Sequence, residues 1–148
     1  MKRAIVLSLA VLMIFGVTVF ATGPLLGVSV VPDPGAGATL TVGFNIASVD
    51  IELQKTNLTE LDGDWSFGLL WVPQQGNFGY RAGVRLVLEY WNSAFKYDGF
   101  EFVVGVSNTW GPIQLYFDAN IAPTQALGIV PIVGINILFG ELIPDVEL

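Results

Sequence analysis

The chain has 148 residues, of which 53% are hydrophobic and 13% charged, and its formal net charge at pH 7 is −7. This acidic balance argues against a nucleic-acid partner, because phosphate binding requires clustered lysines and arginines. The sequence contains no histidine and no cysteine, which excludes histidine-based catalysis, cysteine nucleophiles, disulfides and metal sites built from these residues.

The first 21 residues have the features of a secretory signal peptide. A positive start at Lys2 and Arg3 precedes an apolar run to about residue 20, and Val19 and Ala21 occupy the −3 and −1 positions of a small-residue cleavage site. The alternative is an uncleaved anchor, since this run is barely long enough to cross a bilayer. Cleavage leaves residues 22–148, in which four basic residues face 13 acidic ones for a net charge of −9.

Beyond this segment, apolar and polar residues alternate in eight stretches separated by turn-forming residues. This alternation predicts β-strands, because successive side chains of a strand point to opposite faces. The predicted strands are residues 25–31, 38–47, 49–54, 65–72, 78–90, 100–108, 113–122 and 127–139.

The first three strands are separated by a loop and then a tight turn. A proline- and glycine-rich loop, residues 32–37, follows the first strand. The alternation reverses between the second and third strands, which predicts a hairpin with Ile46 opposite Val49 and Asn45 opposite Asp50. A longer polar segment, residues 55–64, then leads to the fourth strand.

The fifth strand, FGYRAGVRLVLEY, is the longest clear alternation in the chain. One face is apolar or aromatic throughout, whereas the other carries Arg81, Arg85 and Glu89 among glycines. Its length exceeds the usual ~5–6 residues of a globular strand and suits a tilted strand that crosses a bilayer. The following residues, 91–99, predict a loop before the sixth strand.

The remaining strands complete a meander. The eighth is apolar on both faces and contains Pro131, which cannot donate a hydrogen bond to a strand ladder. Short connections favour antiparallel neighbours. The prediction is an all-β, eight-stranded antiparallel up-and-down β-barrel over residues 22–139, after a signal peptide at 1–21 and before an acidic C-terminal tail at 140–148.

The side-chain volumes favour a barrel of the transmembrane type. An eight-stranded barrel has an interior just wide enough for side chains to fill, so the many large aromatics of the apolar face would overfill it. The apolar face also carries no charge in the predicted strands, as a lipid-facing surface requires. Aromatic residues near the strand ends predict two interfacial belts. The belt residues are Trp71, Tyr80 and Trp110 at the short turns, and Trp65 and Tyr90 at the longer loops.

An export signal followed by eight alternating strands resembles the small outer-membrane β-barrels of diderm bacteria. The resemblance implies an outer-membrane location and membrane lipid as a partner. One departure is that nine residues follow Phe139, the last aromatic, whereas such barrels often end on an aromatic that resembles an assembly signal. Outer-membrane acyltransferases and lipases rely on a histidine, which this chain lacks, so neither enzymatic activity nor a cofactor is expected.

The polar face predicts a network of paired charges, because unpaired buried charges cost on the order of several kcal/mol each. Pairing the predicted strands across their turns places Gly105 between Arg85 and Tyr116, with Asp118 a diagonal step away, so Arg85 and Asp118 are expected to pair. The predicted lumen residues are Arg81, Arg85, Glu89, Glu101 and Asp118.

Two functional hypotheses follow. The first is a non-enzymatic outer-membrane barrel with a structural or surface-contact role, or a very narrow pore whose lumen is plugged; an ion pathway or catalytic carboxylates are the other interpretations of the lumen charges. The second is a soluble periplasmic or secreted barrel that binds an apolar ligand in its interior. A homo-oligomer and contact with an extracellular or periplasmic protein stay open as partners.

Overall fold

A computed structural model of the protein describes residues 23–32, 37–46, 48–123 and 128–142. The predicted signal peptide and residues 143–148 of the predicted tail lie outside the described residues. No helix within the described residues is long and apolar enough to cross a membrane.

The described residues form an antiparallel sheet that closes on itself. Strands that follow one another in sequence pair, except that β4 pairs with β6 and not with β5, and β1 pairs with β9 to complete the ring. The strands are β1 (Gly23–Val30), β2 (Ala38–Ile46), β3 (Val49–Thr56), β4 (Gly63–Trp71), β5 (Gln74–Gln75), β6 (Phe78–Trp91), β7 (Ala94–Trp110), β8 (Ile113–Ala122) and β9 (Gly128–Leu138). Because β5 is only a two-residue pairing on β6, the fold is the predicted eight-stranded up-and-down barrel.

The barrel has two different ends. At the short-turn end lie the β2–β3 and β7–β8 turns and the β4–β6 connection; at the loop end lie the other connections. The β2–β3 hairpin has the predicted register, with Ile46 opposite Val49 and Asn45 opposite Asp50. The predicted tail begins as a 3₁₀ turn, Phe139–Leu142.

Alternation along the strands separates a largely polar interior, which includes one small apolar cluster of Leu70, Val72 and Val103, from an apolar exterior. On β8 the side chains of Gln114, Tyr116 and Asp118 are buried, whereas Leu115 and Phe117 between them are exposed. The inward side of this strand therefore carries its polar residues, which is the reverse of the arrangement in a water-soluble barrel.

The predicted loop at residues 91–99 is wrong, because β6 and β7 continue through it. β6 ends at Trp91 and β7 begins at Ala94, and the turn between them is Asn92–Ser93, with φ angles of 49° and 69°. Positive φ at both central residues is the requirement of the type I′ hairpin turn, whose twist matches that of the flanking strands. The sequence KYDG indicates a turn, but here Asp98 forms a bulge where the register shifts between Val87 and Leu88.

The β6–β7 hairpin is longer than predicted, so the register of the barrel wall differs from the predicted one. Gly105 lies opposite Arg81 on β6 and Asp118 on β8, and not between Arg85 and Tyr116. The cause is that both adjoining turns are shorter than predicted, since Trp110 pairs directly with Ile113 in the β7–β8 hairpin.

Pro131 lies where the sheet tolerates it. The ladder between β1 and β9 reaches only to Val133, so at Pro131 the strand β9 has β8 as its neighbour, through Ala119. A proline at such an edge position does not interrupt a second ladder.

Candidate functional site

Five charged residues meet at the centre of the barrel, and we call them the lumen network. Each is at most 1% exposed. They come from three strands, because inward positions on β3, β6 and β8 face one another across a narrow interior. The lumen network consists of Arg81 and Arg85 on β6, Asp50 and Glu52 on β3, and Asp118 on β8.

Arg81 bridges two walls of the barrel. Its Nη2 lies 2.8 Å from Glu52 Oε1 and its Nη1 lies 3.3 Å from Asp50 Oδ2 on one side. On the other side its Nε donates to Asp118 Oδ1 at 2.9 Å. The guanidinium carbon also lies 4.3 Å from the ring centroid of Tyr116, within the range of a cation–π contact.

Arg85 forms a second layer, four residues farther along β6 toward the loop end. Its Nη2 lies 2.9 Å from Glu52 Oε2 and 3.4 Å from Asp118 Oδ2. Its Nη1 donates to Asn120 Oδ1 at 3.0 Å. The structure therefore brings Arg85 and Asp118 together as expected from the sequence, although Arg81 is the closer partner of that carboxylate.

Amide side chains complete the hydrogen bonding of the carboxylates. Asn45 Nδ2 donates to Asp50 Oδ1 at 2.6 Å, and Gln54 Nε2 donates to Glu52 Oε2 at 3.2 Å. These amides were not among the predicted site residues. The signal that identifies Gln54 is parity, because it lies two positions from Glu52 on β3. For Asn45 the signal is the hairpin register, which places it opposite Asp50.

The other two predicted lumen residues lie nearer the loop end. Glu101 is half-buried and accepts a hydrogen bond from Asn120 Nδ2 at 2.6 Å, so it is linked to Arg85 through one amide. Glu89 is also half-buried, and in the strand register it faces Asp64 and Lys96, beyond the lumen network.

A cavity of about 280 Å³ lies at the loop end, above the lumen network. Its lining combines polar residues such as Gln54, Ser66 and Asn120 with the carboxylates of Asp64 and Glu101. Deeper in the barrel, Arg81 and Arg85 are fully buried, so the side chains of the lumen network fill the cross-section below this cavity.

The predicted belt residues divide between the two ends. Trp71, Tyr80 and Trp110 are exposed on the outer face at the short-turn end. At the loop end, Trp65 and Tyr90 are half-buried because both contact Phe95, with ring centroids 6.1 Å and 4.8 Å apart. Phe95 forms an aromatic cluster with these two residues. Phe95 and Tyr97, both exposed, were missed, since their residues were interpreted as a loop.

Chemically, the lumen network is arranged for charge pairing, with two guanidinium groups among three carboxylates. Every carboxylate in it contacts a guanidinium, and both guanidinium groups span two walls of the barrel. Such a set of charge-assisted hydrogen bonds holds strands together and fills space.

No family model, curated protein or solved structure matches the chain.

Proposed function

We propose that the chain is a small, non-enzymatic outer-membrane β-barrel whose lumen is closed by the lumen network and whose role is structural or in surface contact. The observation that carries this proposal is the inverted polarity of the barrel wall. Charged side chains are buried inside, and large apolar side chains are exposed outside.

The outer face supports the lipid environment. The outward side chains of β8 and β9 are apolar along both strands, and most are 40% or more exposed. The exposed outward set on these strands is Ile113, Leu115, Phe117, Ile129, Val133, Ile135 and Ile137. Contiguous apolar patches on soluble monomers rarely exceed a few hundred Å², whereas a lipid-facing barrel band is apolar and free of charge.

The interior supports a closed lumen rather than a ligand pocket for an apolar molecule. A soluble barrel that binds such a molecule needs an apolar interior. In this barrel, Arg81, Glu52 and Asp118 occupy the centre and are bonded to one another. The outer-membrane hypothesis therefore agrees better with the chemistry of both faces.

Membrane fractionation tests the location. Expressed with its N-terminal segment in a diderm bacterium, the protein is expected to sediment with the outer membrane, to resist carbonate and urea, and to require detergent for extraction. A folded barrel is also expected to migrate differently on an SDS gel with and without heating. Recovery as a monodisperse protein without detergent would contradict the proposal.

Planar-bilayer recordings test the closure. The wild type is expected to give no large conductance steps, and Arg85→Ala is expected to enlarge any steps by removing a side chain that fills the cross-section. Lys96→Ala is the matched control, because Lys96 is exposed on the β6–β7 hairpin. A large wild-type conductance would contradict a closed lumen and leave the membrane location unaffected.

A further inference from the structure

Among the described residues, six buried side-chain nitrogen and oxygen atoms have no hydrogen-bond partner, and two of them are Thr41 Oγ1 and Asn136 Oδ1 on the lumen wall. Both residues are fully buried, at 0% exposure. They flank one glycine, since Gly27 pairs with Thr41 on β2 and with Asn136 on β9. Because buried polar atoms are nearly always hydrogen-bonded, two such oxygens on either side of one glycine require an explanation.

Hydrogen bonds fix the orientation of the Asn136 amide. Its Nδ2 donates to Gln114 Oε1 at 2.9 Å, and the same Gln114 oxygen lies 3.5 Å from Arg81 Nη1. With two donors on that oxygen, Gln114 presents its carbonyl, so Asn136 presents its Oδ1 on the other side. A Cβ at Gly27 would collide with this Oδ1, which means that the oxygen extends over the glycine that separates it from Thr41.

The surrounding charge is negative. The lumen network contains two arginines and three carboxylates, which leaves one negative charge in excess. One of these carboxylates, Glu52, lies opposite Gly43, while Thr41 lies opposite Gln54. Glu52 is therefore a diagonal neighbour of Thr41 on the inward face. An uncompensated buried charge is strongly destabilising.

We propose that the lumen binds one small monovalent cation, such as sodium, potassium or ammonium, between Thr41 Oγ1 and Asn136 Oδ1. Neutral oxygen ligands suit hard cations, and a single positive charge balances the excess of the lumen network. A multivalent metal is not favoured, because among the described residues no group of three or more histidine, cysteine or acidic side chains is placed to hold one. The site lies in the lumen and does not depend on what meets the outer face.

Thermal unfolding in detergent tests the site. Choline chloride is replaced at constant ionic strength by sodium, potassium or ammonium chloride in turn. The salt of the cation that binds is expected to raise the midpoint of thermal unfolding saturably, by about 3–8 °C. Thr41→Val, which keeps the shape and removes the oxygen, is expected to lose that response. Ser107→Ala removes another unpartnered buried hydroxyl and is expected to retain it. Equal midpoints for the wild type in all the salts would overturn the proposal and assign the two oxygens to a bound water.

A crystallographic measurement keeps the proposal testable if Thr41→Val does not fold. Crystals of the wild type soaked in thallium(I) are expected to show an anomalous peak within hydrogen-bonding distance of both oxygens. A density peak at that position without anomalous signal would identify water and contradict the cation.

Discussion

The inner and outer faces of strand β8 differ sharply in the exposure and polarity of their side chains. On β8, Phe117 is 49% exposed and the adjacent Asp118 is 0% exposed. A soluble protein has the opposite arrangement, with apolar groups inside and charges in water. On the proposed membrane location, the two faces have different surroundings, the inner one fixed partners of opposite charge and the outer one lipid.

The inner face is stable because its charges are paired, and the largest effect is expected when that pairing is broken. Arg81→Ala leaves Asp50, Glu52 and Asp118 with fewer positive partners in a fully buried layer. Breaking a buried pair from one side costs about 3–5 kcal/mol, and urea unfolding in detergent measures it. Lys96→Ala on the exposed hairpin is expected to leave the midpoint unchanged. A loss equal to that of this control would show that the lumen network does not stabilise the barrel.

The outer face gives the next largest effect. Phe117→Arg, in the middle of β8, is expected to destabilise the barrel in lipid vesicles by about 2–4 kcal/mol, because a charge at mid-bilayer must be desolvated. Trp110→Arg lies at the end of β7 and is expected to cost about 0–1 kcal/mol, as for positions near the interface. Equal small effects of both substitutions would indicate that water, and not lipid, meets this face.

A smaller effect is expected at Gly105, where the backbone of β7 lies close to a lumen carboxylate. Gly105 lies between Arg81 and Asp118 in the register, and a Cβ there would collide with the Asp118 carboxylate. Gly105→Ala is therefore expected to destabilise the barrel by about 1–3 kcal/mol through overpacking. Gly37→Ala, at an exposed loop position with only distant contacts, serves as the control in the same unfolding assay.

The aromatic cluster at the loop end gives the smallest effect. Phe95→Ala removes ring contacts to Trp65 and Tyr90, and aromatic pairs contribute about 0.5–1.5 kcal/mol beyond area burial. The Trp65 fluorescence spectrum is expected to shift in this variant, while conductance stays as in the wild type. An altered conductance would mean that the hairpin takes part in closing the lumen.

The sequence predicted the strand number and the barrel, because alternation with period two is a local property. It predicted the β2–β3 register because the alternation reverses between Ile46 and Val49, which requires a tight turn there. It did not predict the β6–β7 hairpin. Asn92–Ser93 is not a strong turn sequence, and the bulge at Asp98 shifts the alternation so that Phe95 and Tyr97 fall on the outer face.

The partners within the lumen could be predicted only in part. Arg81, Arg85 and Asp118 share the inward parity, and that much is visible from the sequence. Which guanidinium meets which carboxylate depends on the stagger between strands, and two turns shorter than predicted moved Gly105 from Arg85 to Arg81. The role of Asn120 depends on a contact with Arg85 two strands away, and that of Asn136 on the β8–β9 register that places it opposite Gln114.

The central claim, that the outer face meets lipid and the inner face is sealed, is tested most directly by a spin-label scan of β8. The chain contains no cysteine, so single cysteines placed in turn along Ile113–Ala122 can carry a nitroxide without a background signal. In vesicles, accessibility to oxygen is expected to alternate with a period of two residues, high at Leu115 and Phe117 and low at Tyr116 and Asp118. High accessibility of the outward positions to a water-soluble nickel chelate, with no preference for oxygen, would contradict the account.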